Sequence, residues 1–356
     1  MRVGINYPWL HCGWDFGSVP PGYGARVAAA ELRADLTRLA RAGVTIVRWF
    51  VLADGFTYGV DEHAPQRAPS GFRFAAEAEL EPAFFADFVA LLGLCAELGL
   101  QLLPVLIDHQ FAFPGLDRHS VDAATLLRWD HAPTTDRRSL RLQRARERAA
   151  RLPAGYVKGG RGDVIADARA RQRFLDNVLS PLVSASRRHA QAVYAWELIN
   201  EPEWIMRRTP FAPRFHLPVA SVCNFMQAGL SAIRDHGFMA TVGFARAKTL
   251  RALHERLPAL SLDQIHYYPR GLFARLADAR SESARPSVLG EFATRRDLLG
   301  RWPDLPASRQ DICERLAYAE QRGYQAALLW SYRARDRATL EDRAAIEREI
   351  MRYTRR

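Results

Sequence analysis

Lysine is almost missing from this chain of 356 residues, and long apolar runs are missing altogether. Only Lys158 and Lys248 are lysines, so nearly all of the 50 basic residues are arginines. Arginine and alanine are abundant along the whole chain, which is typical of a coding bias in GC-rich genomes. The formal charge of +11 is therefore weak evidence for nucleic-acid binding, and we expect no nucleic-acid partner. Because no run of about 18 apolar residues exists, we expect no membrane span.

Cysteine is scarce, and the first residues do not match the pattern of a signal peptide. Cys12, Cys95, Cys223 and Cys313 form no CxxC pair, which leaves no pattern for structural zinc and favours reduced, buried thiols. The N-terminus lacks the basic segment, apolar core and cleavage site of a secretory signal. If Met1 is the native start, we expect a cytoplasmic protein.

Common cofactor and nucleophile motifs are absent or incomplete. The segment 243–249 resembles a phosphate-binding P-loop but lacks the glycine before Lys248, so its amides cannot surround a phosphate. The chain has no extended GxGxxG, no HExxH and no GxSxG. We expect neither a metal nor an organic cofactor.

Eight short apolar runs alternate with amphipathic segments of helical periodicity. This order predicts a single (β/α)8 TIM-barrel domain over residues 1–356. The alternative is an open doubly wound sheet, which usually carries a glycine-rich first turn, whereas residues 8–17 here are aromatic. The predicted strands are 3–7, 44–52, 100–108, 193–199, 240–244, 262–268, 287–292 and 325–330.

One connection is longer than a simple barrel needs. The third and fourth predicted strands are separated by roughly 85 residues, where one unit needs about 30. The excess predicts an insertion at about 110–166, with an arginine-rich stretch over 137–151. We interpret this stretch as a solvated helix on the rim, and the alternative is a lid that favours an acidic ligand.

Two glutamates end two of the predicted strands. Glu201 follows the fourth strand in an Asn-Glu-Pro, and Glu291 ends the seventh. Barrel active sites lie at the carboxyl ends of the strands, so both side chains are expected to face the barrel mouth. Paired carboxylates there are suited to glycoside hydrolysis. The alternative is that each glutamate only pairs with an arginine.

These positions resemble the retaining glycoside hydrolases of clan A, nearest to family 5, which contains cellulases and mannanases. The resemblance implies that Glu201 is the acid/base and Glu291 the nucleophile, with Asn200 on the sugar 2-hydroxyl. It also implies supporting roles for four further residues. These are Arg48 on the second strand, His266 and Tyr268 on the sixth, and Trp330 on the eighth, under the sugar.

The third strand departs from the family pattern. Family 5 commonly shows Asp-x-His at this strand end, whereas Asp108 and His109 are adjacent here. Either His109 takes the substrate-binding role from a shifted backbone, or Asp108 faces the site instead.

The resulting hypothesis is a retaining hydrolase of β-linked sugars with a carbohydrate as its partner. We expect the carboxyl groups of Glu201 and Glu291 about 5–5.5 Å apart, the distance typical of retaining enzymes. We also expect burial or the second carboxylate to raise the pKa of Glu201, and Arg48 and Tyr268 to keep Glu291 ionised. The alternatives are a sugar-binding barrel without turnover and a basic nucleic-acid binder. The sugar, endo or exo action and the oligomeric state stay open.

Tryptophans supply a further set of candidates. Sugar rings present apolar C–H faces that stack on aromatic rings, so tryptophans in rim loops could form subsites. The candidates in or near predicted rim loops are Trp9, Trp14, Trp49, Trp129 and Trp204.

Overall fold

The structure is a computed structural model that describes most of the chain. The described residues are 1–10, 15–17, 25–53, 67–68, 71–72, 80, 82–113, 159–206, 215–269, 275–279, 284–295, 301–334, 336 and 338–356.

Eight parallel strands close into a barrel in which each strand pairs with its neighbours in the sequence. The predicted TIM barrel is confirmed, and every predicted strand is present with its ends moved by no more than a few residues. The strands are β1 Arg2–Asn6, β2 Ile46–Phe50, β3 Gln101–Asp108, β4 Trp196–Asn200, β5 Ala240–Phe244, β6 Asp263–Tyr267, β7 Ser287–Ala293 and β8 Ala326–Trp330.

Helices cover the outer face of the barrel. Their apolar residues recur at helical spacing, as in the first helix, where Leu32, Leu36 and Leu39 are buried and Gly43 ends the helix with φ 96°. The α-helices are α1 Ala29–Ala42, α2 Pro82–Glu97, α3 Gly162–Ala166, α4 Ala168–Phe174, α5 Ser180–Ala185, α6 Glu203–Met206, α7 Val219–Asp235, α8 Ala247–Leu253, α9 Ile312–Gln321 and α10 Arg343–Thr354.

Shorter elements complete the described chain. Three of the four cysteines, Cys95, Cys223 and Cys313, are buried free thiols, and Cys12 lies outside the described residues. Much of the predicted insertion, with its arginine-rich stretch, also lies outside them. The elements are 3-10 turns at His109–Ala112, Ser186–Ala192, His254–Arg256 and Ala307–Arg309, a π-helical turn at Leu175–Leu179, and a hairpin of Arg67–Ala68 with Gly71–Phe72.

The barrel interior is layered along its axis. Its lower layer is apolar and contains Ile46, Leu103 and Leu328 among others. One step further along β2, Arg48 is fully buried in a polar layer. A small aromatic cluster with Phe50 and Trp330 lies at the carboxyl ends of the strands. The functional groups are therefore carried above a dry base, and the main hydrophobic core lies between strands and helices.

Two strands depart from regular pairing next to the catalytic candidates. On β7, Leu289 and Glu291 pair with consecutive residues of β6, Ile265 and His266, so Gly290 is an extra residue. Bulges of this kind re-aim side chains and are common next to active sites. On β4, the pairing with β5 also shifts, between Glu197 and Asn200. Both irregularities change which side chains face the barrel interior.

Candidate active site

Glu201 and Glu291 meet at the mouth of the barrel. Glu201 directly follows β4 with its backbone in the left-handed region at φ 47°, an uncommon conformation outside glycine. Its N–H donates to the carbonyl oxygen of Gly243 at 2.7 Å, so β5 holds the turn while the side chain leaves the strand. One carboxylate oxygen of Glu201, one of Glu291 and Nδ1 of His266 all lie within 4.8 Å of one another.

Both oxygens of Glu201 have hydrogen-bond partners. His266 Nδ1 lies 2.9 Å from Oε1, and the Trp204 indole N–H donates to Oε2 at 2.6 Å. Trp204 belongs to α6, which begins directly after the Asn-Glu-Pro, so the turn that exposes the glutamate also supplies its partner. His266 Nδ1 lies 3.6 Å from Glu291 Oε2 and therefore faces both carboxylates.

The expected direction of the Glu201 pKa is wrong for the substrate-free protein. Burial alone raises the pKa of this carboxyl, but the hydrogen bond and charge of His266, the charge of His109 and the Trp204 hydrogen bond outweigh burial and lower the pKa below its ordinary value. The sequence does not reveal this, because the distance from His266 to Glu201 depends on the turn after β4.

Glu291 is the more enclosed carboxylate of the pair. Arg48 Nη1 donates to its Oε1 at 2.6 Å, and the Tyr268 hydroxyl donates to its Oε2 at 2.8 Å. Burial is the largest effect and raises the pKa of Glu291, the charge of Glu201 adds to it, and His266, Arg48 and Tyr268 oppose it. The two catalytic candidates thus influence each other's protonation directly.

Arg48 connects four strands inside the barrel. In addition to its bond to Glu291 on β7, it donates hydrogen bonds to Asn6 of β1 at 2.7 Å and to Asn200 of β4 at 2.8 Å. Its Nε and Nη2 both donate to Glu197, each at 2.6 Å. All five N–H groups of the guanidinium are therefore used.

Glu197 is a site residue that the sequence analysis missed. It is fully buried and also accepts a hydrogen bond from Gln264 Nε2 at 2.7 Å. Strict alternation along β4 places Glu197 and Asn200 on opposite faces, and only the irregular pairing with β5 turns both toward Arg48. An acidic residue within an apolar strand was the available signal, because buried charges need partners.

The structure places both Asp108 and His109 at the site. Asp108 Oδ1 accepts from the Asn200 amide at 2.8 Å and lies 2.9 Å from His109 Nδ1. Asp108 is buried, which opposes ionisation, yet His109 and the hydrogen bond from Asn200 lower its pKa to about 2. The ring of His109 packs 6.3 Å from that of Trp204, on the Glu201 side of the mouth.

Trp330 forms one wall of the mouth. Its ring meets those of Phe50 and Trp9 edge to face, at 6.3 and 6.4 Å between centroids. Its indole N–H donates to Asp336 Oδ2 at 2.6 Å, and its peptide bond to Ser331 is cis. Asp336, in the segment after β8, fixes the plane of this ring and was not among the predicted residues.

The other tryptophan candidates separate by position. Trp9 is half-buried at the mouth and Trp204 contacts Glu201. The placement of Trp49 in a rim loop is wrong. Trp49 lies within β2, is fully buried and stacks on Tyr7 at 4.6 Å, because it points to the helical layer. Trp14 and Trp129 lie outside the described residues.

Glu203 is a further buried carboxyl close to the pair. It accepts the backbone N–H groups of Ala245 and Arg246, at 3.1 and 3.2 Å, and so ties α6 to the segment after β5. Burial raises its pKa to about 7, and the charge of Glu201 contributes in the same direction. Glu203 is therefore a carboxyl whose pKa lies near neutrality.

Glu201, His266 and Glu291 offer the donor types of a metal site. All three atoms, however, have hydrogen-bonding or charged partners, and the Arg48 cation lies 2.6 Å from Glu291. A second group, Asp311, Cys313 and Glu314, surrounds the start of α9, where Asp311 already caps the helix. The arrangement at the mouth favours acid–base chemistry over metal binding.

Solved structures with the same fold cover the whole chain. A β-mannanase from the blue mussel Mytilus edulis aligns with 100% of this chain and 92% of its own, with 17% identity and a TM-score of 0.64. A β-1,4-mannanase from the sea hare Aplysia kurodai gives 18% identity, a TM-score of 0.63 and coverage of 100% and 92%. An endoglucanase from Pseudomonas stutzeri aligns with 99% of this chain and 93% of its own, with 12% identity and a TM-score of 0.53. These likenesses support the resemblance to family 5 at the level of the fold.

Sequence comparisons add no relative. No protein-family model and no curated protein matches the chain. Within the described part of the chain, every helix is too short or too polar to cross a bilayer.

Proposed function

We propose that this protein is a retaining glycoside hydrolase that acts on β-linked sugars. The observation that carries the proposal is the closeness of the two glutamates, whose nearest oxygens lie within 4.8 Å at the carboxyl ends of β4 and β7. Retaining enzymes hold their carboxyl groups about 5–5.5 Å apart, whereas inverting enzymes need about 6.5–9.5 Å to admit a water molecule.

In the first step, Glu201 donates its proton to the glycosidic oxygen while Glu291 attacks the anomeric carbon. The bond from carbon to the leaving oxygen breaks, and an ester between the sugar and Glu291 forms. In the second step, Glu201 takes a proton from water, which attacks the same carbon and releases Glu291 as a carboxylate. The product keeps the β configuration, and no cofactor is needed.

The coupled carboxyls explain how one proton serves this cycle. Because their oxygens are so close, ionisation of Glu291 favours protonation of Glu201, and the reverse. The productive form has the proton on Glu201. Hydrogen bonds from Arg48 and Tyr268 favour this form, because both stabilise the ionised Glu291. Without a sugar, the pKa of Glu201 is lowered and that of Glu291 is raised, which is the opposite order, so the productive form requires the sugar in the site.

Substrate contacts follow from the groups left available. Asn200 uses its Oδ1 for Arg48 and one amide N–H for Asp108, and its second amide N–H is assigned to the sugar 2-hydroxyl. The rings of Trp330 and Trp9, packed on the buried Phe50, offer an aromatic surface to the C–H face of the sugar ring. Since mannanases and an endoglucanase share the fold, β-1,4-mannan and β-1,4-glucan are the first substrates to test.

The test combines a substrate screen with product stereochemistry. The purified protein is incubated with β-mannan, a soluble β-glucan and aryl β-glycosides, and the first product is observed by proton NMR. We expect release of the β anomer, with no activity from Glu291→Ala. Release of the α anomer would exclude the double displacement. Saturable sugar binding without hydrolysis would instead identify a non-catalytic carbohydrate-binding barrel, and salt-sensitive binding of nucleic acid alone would favour the remaining alternative.

A further inference from the structure

We infer that Glu197 is a positioning residue for the nucleophile, acting on Glu291 through Arg48. The inference rests on the proposed function, since it assigns to this buried carboxylate a role in the reactivity of Glu291. Glu197 does not reach the mouth itself. Its nearest partners are Arg48 and Gln264, in the polar layer below the catalytic pair.

The orientation of Arg48 is set by Glu197. A guanidinium is planar, and two bonds to one carboxylate fix both its position and its plane. Glu197 makes this two-point contact through Nε and Nη2, which leaves Nη1 pointing to Glu291. Because every N–H of Arg48 is used, the guanidinium cannot rotate without breaking several short bonds. The contact with Glu197 therefore fixes the direction of the hydrogen bond from Arg48 to Glu291 Oε1.

The same contact sets how much positive charge Glu291 senses. One arginine lies between two carboxylates, and Glu197 contacts it through two nitrogens while Glu291 contacts it through one. Glu197 therefore neutralises part of the charge that would otherwise hold Glu291 ionised. A nucleophile bound too strongly as a carboxylate is less reactive, so the sharing of Arg48 tunes Glu291.

The barrel is shaped to accommodate this carboxylate. A Cβ at Gly243 would lie 2.2 Å from Glu197 Oε1, and one at Gly290 would lie 2.6 Å from Gln264 Nε2. Both distances are far below van der Waals contact. Glycine on β5 and on the β7 bulge therefore makes room for the Glu197–Gln264 pair. Gly290 directly precedes Glu291, so the space for the pair and the aim of the nucleophile depend on one residue.

The charged and titratable groups around Glu291 come from three elements. Arg48 reaches it from β2, Glu201 from the turn after β4, and His266 and Tyr268 from β6 and the residue after it. Replacing Glu197 by glutamine removes one negative charge behind Arg48 and leaves one oxygen where two accepted from its Nε and Nη2. The pKa of Glu291 must then fall.

The test is the pH profile of Glu197→Gln on an activated aryl β-glycoside. We expect the acid limb of kcat/KM, which reports ionisation of Glu291, to move to lower pH by about one unit. We expect kcat to fall on the order of 10²-fold, because a misplaced catalytic group costs about that much. Asp35→Asn is the matched control, since Asp35 is a buried carboxylate with arginine partners outside the barrel. It should leave both quantities unchanged.

Glu197→Asp separates geometry from charge and also serves if the glutamine variant does not fold. It keeps the negative charge but is one methylene shorter, so it cannot hold both nitrogens of Arg48 as Glu197 does. We expect a similar loss of kcat with the acid limb near its original pH. If the folded variants lose only thermal stability, with kcat and the acid limb unchanged, Glu197 is purely structural and the inference is wrong.

A readout without turnover keeps this inference distinct from the proposed function. Carbon-13 labelling of glutamate side chains, with the Glu291 signal assigned by its loss in Glu291→Gln, measures the pKa of Glu291 in the substrate-free protein. A lower pKa in Glu197→Gln supports the inference even if the screen finds no sugar that is hydrolysed. An unchanged pKa overturns it even if the protein is a proven glycosidase.

Discussion

Two clusters in this molecule surround buried carboxylates with arginine, and they differ in their balance of charge. Inside the barrel, one arginine, Arg48, is shared by Glu197 and Glu291, and all three are buried. The surplus there is negative. A buried carboxylate with only a shared counter-ion is costly to stability, and such a cost is typical of a group kept for chemistry.

Outside the barrel the charges balance, because Arg38, Arg333 and Arg343 face Asp35, Glu31 and Glu347. Asp35 of α1 is buried, accepts from the Tyr7 hydroxyl at 3.0 Å, and is contacted by Arg38, Arg333 and Arg343. The latter two come from the segment after β8 and from α10. These arginines extend partly into solvent, with 46%, 13% and 35% of their side chains exposed, so their charges keep water. This cluster joins the ends of the chain and needs no functional explanation.

The largest expected effect separates the two clusters by function. Glu291→Gln should lower kcat/KM on the order of 10⁶-fold, the scale known for loss of a catalytic nucleophile. Its Tm should not fall, because the substitution removes the surplus charge beside Arg48. Asp35→Asn should do the reverse, with a lower Tm and an unchanged kcat/KM. Steady-state kinetics and thermal denaturation of both variants decide the matter, and a destabilised Glu291→Gln would contradict the comparison.

The next largest effect separates the role of Glu201 from that of Glu291. Glu201→Ala should lose about 10²–10⁴-fold on natural glycosides, the range for general acid catalysis. A nitrophenolate leaves without a proton, so the variant should still form the glycosyl-enzyme from an activated aryl glycoside and then stall. Azide needs no base and should restart turnover, giving a β-glycosyl azide.

The configuration of the azide product also tests the assignment of roles. Glu291→Ala can be rescued only by direct attack, which gives the α-azide. If Glu201→Ala gave the α product and Glu291→Ala the β product, the roles would be exchanged. If both variants matched the wild type, the carboxylate pair would have no catalytic role.

Removing one arginine from each cluster should give a smaller difference, which is measured as the free energy of unfolding. Arg48→Met leaves two carboxylates buried without their cation, and we expect a loss of about 3–5 kcal/mol in the free energy of unfolding. Arg343→Met is the matched change in the outer cluster. Its guanidinium is 35% exposed and 3.7 Å from Asp35, so we expect about 0.2–1 kcal/mol. Urea denaturation measures both, and similar losses would show that the clusters are energetically alike.

The last prediction concerns Glu203 and the pH dependence of stability. Its folded pKa is raised to about 7 from an ordinary value of 4.5, so the protonated form is favoured by folding. The stability associated with this group is complete below about pH 4.5 and is lost as the pH rises through about 7. The difference between wild type and Glu203→Gln should therefore shift by on the order of 3 kcal/mol between pH 4.5 and 8. A pH-independent difference in urea denaturation would contradict the raised pKa.

The sequence predicts the barrel well because each strand is a short apolar run and each helix a periodic one. It also indicates Glu201 and Glu291, since both stand at strand ends. It does not predict Glu197, because alternation fails where the β4–β5 pairing shifts. Nor does it predict the lowered pKa of Glu201, which depends on a 2.9 Å contact with His266 from another strand. Patterns along one strand are readable, whereas bulges and contacts between strands are not.

The left-handed backbone at Glu201 has a practical consequence for trapping a bound oligosaccharide. A residue other than glycine in this conformation costs about 1–2 kcal/mol. Glu201→Gly removes the carboxyl and this conformational cost together. The inactive protein should therefore be less strained than the active one, and it is the substitution of choice for co-crystallisation with an intact substrate.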